Sequence, residues 1–284
     1  MARKRATLSD LLNDLTYQTH YDKNRLICLN EHIWEGLPDG IETRHIEKWL
    51  FSKGYCCFFK DPKMAHMVLE CDTSGKVNVY GDPTGWRAHG FNYQRYLNAD
   101  KCVIIKNNLL ALPTKPFIMH YVNKITEAER TMDVNIKACK TPVIFACDDK
   151  DLLSFKRMFQ QVDGNTPALF VDRGLNLDSI QAFLTGVQFM GNELMDYKRS
   201  VESDMLTFLG QNNTPVDKKE RLITDEAEAN DQLIQSFADL QLQARQQACE
   251  EINAMFGLNV SVRRREPVEK TVDTVEKEED HVSA

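Results

Sequence analysis

The sequence predicts an α+β fold, mainly α. Three observations carry this: two long central stretches in which apolar residues recur every three or four positions, a further amphipathic stretch near the C-terminal end, and a block of short apolar runs separated by turn residues. Thr7, with Asp10 three residues on, reads as an N-cap, and Leu8, Leu11, Leu12 and Leu15 mark one face of a first helix expected to continue to Trp34. Gly36-Leu37-Pro38-Asp39-Gly40 stops it. Ile46, Trp49 and Leu50 define a second, short helix closed by Gly54. From Tyr55 the period changes. Short runs at 55–59, 67–69, 77–80, 102–105 and 109–112, separated by turns such as Thr73-Ser74-Gly75 and Asn107-Asn108, predict a small β-rich subdomain.

After Pro113 and Pro116, Ile118, Val122, Ile125, Met132 and Ile136 share one side of a long helix interrupted by charge at Glu129. Residues 140–146 then read as a strand, 152–162 as a helix and 167–171 as a strand, a compact β-α-β insertion. From Ser179 onward Ile180, Phe183, Val187, Met190, Leu194, Tyr197, Val201 and Phe208 alternate spacings of three and four, broken only at Asp204, which predicts a helix of about eight turns. It ends at Thr207-Phe208-Leu209-Gly210, because Pro215 lacks an amide and disfavours helix at Thr214. The next helix starts after Asp225 and ends at Phe256-Gly257. Beyond Val262 come Arg263-Arg264-Arg265 and, from about Glu266, a charged segment without a period, expected to be disordered.

With 284 residues, 42% apolar and 27% charged, the chain can bury a substantial core, and no run approaches the roughly 20 apolar residues that span a bilayer. Ser9, Asp10, Asn13 and Asp14 interrupt the region after the basic start, so no secretory signal is expected. Eight scattered cysteines without a Cys-x-x-Cys pair read as reduced intracellular thiols; Cys139 and Cys147 lack the histidines to complete a zinc site. No nucleotide-binding, nucleophile-elbow or metalloprotease motif occurs, and the seven histidines are dispersed. Asp148, Asp149 and Asp151 sit just before a predicted helix, where carboxylates cap amides. No catalytic residue, cofactor or metal is expected, and the chain is not read as an enzyme. The net charge of −7 argues against a protein that coats nucleic acid and suits a conduit past which phosphates slide, although mild acidity also serves solubility alone.

Met205-Leu206-Thr207-Phe208-Leu209-Gly210, Lys218-Lys219-Glu220-Arg221-Leu222-Ile223-Thr224-Asp225-Glu226, Ala248-Cys249-Glu250-Glu251-Ile252-Asn253 and Gly257-Leu258-Asn259-Val260 arrive in that order. Met1-Ala2-Arg3-Lys4-Arg5, Gly54-Tyr55 with Phe59-Lys60-Asp61-Pro62, and Lys140-Thr141-Pro142-Val143 precede them. In this colinear series the chain resembles the portal protein, also called upper collar or head-tail connector, of small short-tailed bacteriophages that replicate linear double-stranded DNA by protein priming. The similarity is densest near the C-terminal helix and thinnest between Asp72 and Leu97. The resemblance implies a portal fold: 1–116 an N-terminal wing with a basic arm and the β-rich subdomain, 117–139 the first stem helix, 140–177 the clip, 178–210 the second stem helix, 211–226 a tunnel loop, 227–262 a C-terminal wing helix and strand, and 263–284 a disordered tail. It further implies a dodecameric ring at one capsid vertex of the virion, assembled in the host cytoplasm. Double-stranded genomic DNA is packaged, retained and ejected through that ring. The implied partners are a packaging ATPase, a packaging RNA in some relatives, major capsid and scaffolding proteins and a lower collar or tail protein, with no membrane.

Lys218, Lys219 and Arg221 lie between two helices on a segment nearly devoid of apolar anchors and suit phosphate contacts; the same mixed-sign run also reads as a solvated connector. The resemblance favours the former. Lys198 and Arg199 on the second long helix read either as a cationic ring or as ordinary helix surface, and where the family carries channel lysines this chain has Leu184 and Glu193. Arg3, Lys4 and Arg5 form a basic arm suited to sequence-independent contacts with DNA or RNA, or a plain soluble terminus. Two rival classes stay open. One is a stand-alone nucleic-acid-binding regulator, which predicts a small oligomer and salt-sensitive binding to free DNA. The other is a collar component that never touches the genome.

Overall fold

The computed structural model describes residues 8–140, 143–146, 181–184, 187–211 and 224–265. The described helices are α1 (Leu8–Leu29), α2 (Thr43–Lys53), α3 (Lys115–Lys140), α4 (Gly191–Phe208) and α5 (Thr224–Phe256). The strands are β1 (His32–Glu35), β2 (Tyr55–Asp61), β3 (Ala65–Thr73), β4 (Gly85–Gly90), β5 (Tyr93–Asn98), β6 (Cys102–Lys106), β7 (Val143–Ala146), β8 (Gln181–Leu184) and β9 (Ser261–Arg264). They form two compact units, one drawn from the chain up to His20 and from His120 to Asp204, the other from Tyr21–Met119 and from Met205 onward. The division falls inside α1, α3 and α4.

The second unit is built on an antiparallel sheet in the order β5-β4-β3-β2-β6. Along β2 the side chains alternate between two cores. Cys56 and Phe58 join Ile46 and Leu50 of α2, Val103 and Ile105 of β6, and Cys249 and Ile252 of α5. Cys57 and Phe59 face the other way, where Cys71, Ala88, Leu97 and Cys102 close a second cluster within the sheet. This double burial explains the uninterrupted apolar run in β2. The turn after it is fixed by Asp61, whose carboxylate accepts from the amides of Lys63 and Met64 and from Tyr93 and Arg95 of β5.

Expected and observed elements differ in four places here. The first helix stops at Leu29 instead of continuing to Trp34: the Asn30 side chain bonds back to the Leu26 carbonyl, and His32–Glu35 pairs with β9 from the far end of the sequence. Residues 77–80 do not form a strand. Val77 makes one isolated bridge to Pro83, while Val79 and Tyr80 stand in solvent because no cross-strand partner covers them. Residues 109–112 are a turn held by Asn108, whose side chain accepts from the amides of Leu110 and Leu112. The two strands at one side of the sheet, β4 and β5, carry no apolar run because their solvent faces are polar: Arg87 and His89 both reach Asp72, with Ala88 alone of β4 buried in the cluster. By contrast α2 ends as expected, at Gly54 with φ +88°, its amide bonded to the carbonyls of Trp49 and Leu50.

The C-terminal end of α4, from Met205, and α5 also belong to this unit. Met205 and Leu209 are buried, Phe208 stacks on Phe117 at 4.6 Å, and Phe237 of α5 lies 5.7 Å from Phe208. The α4 helix ends at Phe208, with Gly210 at φ +69° in the turn that follows, within the expected stop at 207–210, and α5 starts at Thr224 and ends at Phe256.

In the first unit, Val122, Ile125 and Ala128 of α3 and Val201 of α4 are buried. The predicted eight-turn helix is corrected. Gln181–Leu184 is a strand paired antiparallel with Val143–Ala146, residues 187–190 are irregular, and helix begins only at Gly191. Spacings of three and four among four apolar residues do not exclude strand, and the ladder to β7 prevails over propensity. Asn135 of α3 then holds the irregular segment, donating to the Gln188 carbonyl at 2.8 Å and accepting from the Met190 amide at 3.0 Å. The strand expected at 140–146 is therefore present as β7, and among the described residues its partner is β8. The helix expected at 152–162, the strand at 167–171 and the cap at Thr7 lie outside the described residues.

Candidate nucleic-acid interface

Of the cations singled out from the sequence, Lys198 and Arg199 lie within α4, whereas Arg3, Lys4, Arg5, Lys218, Lys219 and Arg221 lie outside the described residues. A helix turns about 100° per residue, so neighbours on α4 face different surroundings. Lys198 Nζ donates to Glu129 Oε2 of α3 at 2.6 Å, and His20 Nε2 of α1 lies 2.9 Å from the same oxygen. Burial opposes ionisation of Glu129, but the hydrogen bonds from Lys198 and His20 outweigh it and hold the carboxyl below its usual range. Lys198 is thus engaged in tying three helices of the first unit. Arg199 is 72% exposed and, among the described residues, forms an ion pair with Asp196 at 3.7 Å, which leaves its other donors open to a phosphate. Around it the exposed face of α4 is acidic, carrying Glu193, Asp196 and Asp204.

The segment holding Lys218, Lys219 and Arg221 leaves α4 at a sharply defined point. Gly210 has φ +69°, its amide bonds to the Thr207 carbonyl, and the Gln211 amide reaches back to the Leu206 carbonyl at 2.8 Å. A Cβ at Gly210 would come within 2.7 Å of the Ala238 Cβ on α5, so close approach as well as backbone conformation requires glycine. Beside this point sits a buried charge cluster that sequence reasoning missed. Arg245 of α5 makes a two-pronged bond to Glu47 of α2 at 3.0 and 2.8 Å, and donates to the backbone and side-chain oxygens of Asn107. Trp34 Nε1 also donates to Glu47, at 2.8 Å. Burial opposes the Glu47 charge, yet Arg245 and Trp34 keep its carboxyl below the usual range. Glu31, buried near Arg245, has its carboxyl pushed up to about 7 by burial against the pull of Arg264 and Arg245. His32 is pushed down to about 3, by burial first and then by Arg245, and neither ring nitrogen has a partner among the described residues. The signal available in the sequence was Arg245 itself, a charge set on the α5 stripe of Ala238, Leu242, Cys249 and Ile252. No group of three or more His, Cys, Asp or Glu among the described residues is disposed to hold a metal.

A family model described as Phage Connector (GP10) matches residues 12–269. Among solved structures, the portal and tail of native bacteriophage P68 share the fold with a TM-score of 0.50 at 15% identity over 97% of each chain. Weaker likenesses extend to an HK97-family phage portal protein from Corynebacterium diphtheriae (TM-score 0.45, 9% identity, 93% of this chain and 96% of that one). They also reach the virion of a native gene transfer agent particle (TM-score 0.45, 9% identity, 94% and 83%). With a family match that spans nearly the whole chain and a fold shared with the P68 portal, the chain belongs to the phage connector family and is a portal, or head-tail connector, subunit of a bacteriophage virion.

Proposed function

We propose that copies of this chain close into a ring, of twelve subunits as the family pattern implies, through which double-stranded DNA is packaged, retained and ejected. The single observation that carries this reading is the connector match over residues 12–269. The electrostatics of α4 support it: an exposed face carrying Glu193, Asp196 and Asp204 repels phosphate and favours sliding, with Arg199 beside Asp196 as an exposed cation among them. In this reading 117–139 and 178–210 are stem, with the helical part of the second beginning at Gly191 and β8 at its start paired to β7 of the clip, 140–177 is clip, and 1–116 with 227–262 form the wing. Lys218, Lys219 and Arg221 contact DNA phosphates from the 211–226 segment, and Arg3, Lys4 and Arg5 contact DNA or RNA at the other end of the chain. Lys198, bound to Glu129, serves the packing of helices instead. The ring meets capsid protein around its rim and a tail component below. A separate ATPase supplies the work, and this chain performs no catalytic step.

The test is simultaneous substitution of Lys218, Lys219 and Arg221 by alanine in assembling phage. Particles with intact rings that lose packaged DNA are expected. Normal packaging and normal retention would remove these residues from the DNA-contacting set.

A further inference from the structure

Arg264 occupies a position that neither the family match nor the sequence explains. Its strand is sewn to the end of the first helix: the Arg265 amide donates to the Glu31 carbonyl at 2.8 Å, Arg265 Nε donates to the Asn30 carbonyl at 2.8 Å, and Arg264 pairs in register with His32. From this fixed backbone the guanidinium divides its donors. Nε faces Glu31 Oε1 at 3.4 Å, and a terminal nitrogen donates to the Gly210 carbonyl. Glu31, whose side chain is only 4% exposed, is also bonded to the side chain of Gln211. Gly210 in turn lies close against α5, where a Cβ on it would stand 2.7 Å from the Ala238 Cβ.

We propose that Arg264, oriented by Glu31, is the positioning residue that fixes the exit of the chain from α4 at Gly210–Gln211, the start of the sequence segment that carries Lys218, Lys219 and Arg221. The physical basis is the planar fork. A guanidinium holds donors on separate nitrogens in one rigid plane, which suits a carbonyl and a carboxylate met side by side, whereas a lysine brings its three donors from a single atom on a flexible stem and is less pre-organised for both. The neighbouring Arg263 pairs with Glu35 on the exposed side of the same strand and touches neither Gly210 nor Gln211, so it is the natural control. The consequence for DNA rests on the proposed phosphate contacts of Lys218, Lys219 and Arg221.

The experiment compares Arg264→Gln, Arg264→Lys and Arg263→Gln in the full-length chain, by hydrogen exchange of a peptide covering residues 205–211 and by DNA retention in assembled particles. Arg264→Gln is expected to speed exchange of that peptide at least about tenfold, the effect of losing a charged hydrogen bond, while β2, β3 and β6 stay protected. Arg264→Lys is expected to recover only part of the protection, and Arg263→Gln to change nothing there. Equal exchange in Arg264→Gln and Arg263→Gln, or full recovery by lysine, overturns the positioning role. Faster exchange in Arg264→Gln with unchanged DNA retention overturns its consequence for DNA, provided that the Lys218/Lys219/Arg221 substitution does lose DNA. If that substitution also retains DNA, it is the phosphate-contact reading that has failed.

Discussion

The two units differ in how their interiors are held. The second closes a large centre: Phe58, Phe59, Leu50, Ile105 and Ile252 are shut from solvent, and even Glu47 and Arg245 are buried as a fully bonded pair. In the first the described buried apolar set is smaller, Val122, Ile125, Ala128 and Val201, and its helices are also tied by partly exposed ion pairs and hydrogen bonds such as Lys198–Glu129 and Arg130–Asn13. Both units expose apolar side chains, Leu11, Leu15, Val134, Phe189 and Tyr197 in the first and Val79, Tyr80, Phe91, Leu109 and Leu110 in the second. Such surfaces suit the neighbouring copies of the proposed ring.

The most damaging way to attack the second unit is to break its buried pair. Arg245→Met alone strands the Glu47 charge and is expected to cost about 3–5 kcal/mol in denaturant unfolding, while Arg245→Met with Glu47→Leu restores most of that loss. A double variant as unstable as the single one would mean that the pair does more than neutralise itself.

Next come the neighbours Glu31 and His32, which titrate in opposite directions. Glu31 is raised from 4.5 to about 7, so its contribution to stability is present below pH 4.5 and is lost as pH rises through about 7. His32 is lowered from 6.5 to about 3, so its contribution is present above pH 6.5 and is lost as pH falls towards 3. Between pH 4.5 and 6.5 the two slopes cancel in the native chain. Glu31→Gln is expected to leave a stability that falls with falling pH, and His32→Leu one that falls with rising pH, each by about 1.4 kcal/mol per pH unit. Parallel melting profiles for the two variants across that window would refute the assignment.

A smaller loss, about 2 kcal/mol, is expected from Gly210→Ala, which meets both the left-handed backbone and Ala238. Smallest of all, Glu129→Gln in the first unit is expected to cost less than about 1 kcal/mol, since its carboxylate is 36% exposed. A loss comparable to that of Arg245→Met would erase the contrast between the units.

That contrast also decides what was legible in the sequence. Where burial is completed locally the pattern spoke clearly: α2 with its Gly54 stop, β2 with its apolar run, β6, and the end of α4 before Gly210 were all read from residue order. Elements defined by distant partners were not. β1 exists because β9 lies beside it, and Gln181–Leu184 is a strand because of β7, although its apolar spacing continues the helical stripe of α4. The charge cluster was invisible for the same reason, since Glu31, Glu47, Arg245 and Arg264 come from four separate stretches of the chain. Of the proposed phosphate contacts, charge pattern alone separated neither Lys198 from Arg199 nor tie from ligand; that took Glu129 of α3.

The account stands or falls on closure into a ring, and native mass spectrometry of the purified chain and of necks released from virions measures it directly. A closed assembly of about twelve 32.7 kDa subunits is the predicted result. A mass of one or two subunits in both preparations would contradict it and return the chain to the class of small nucleic-acid-binding oligomers.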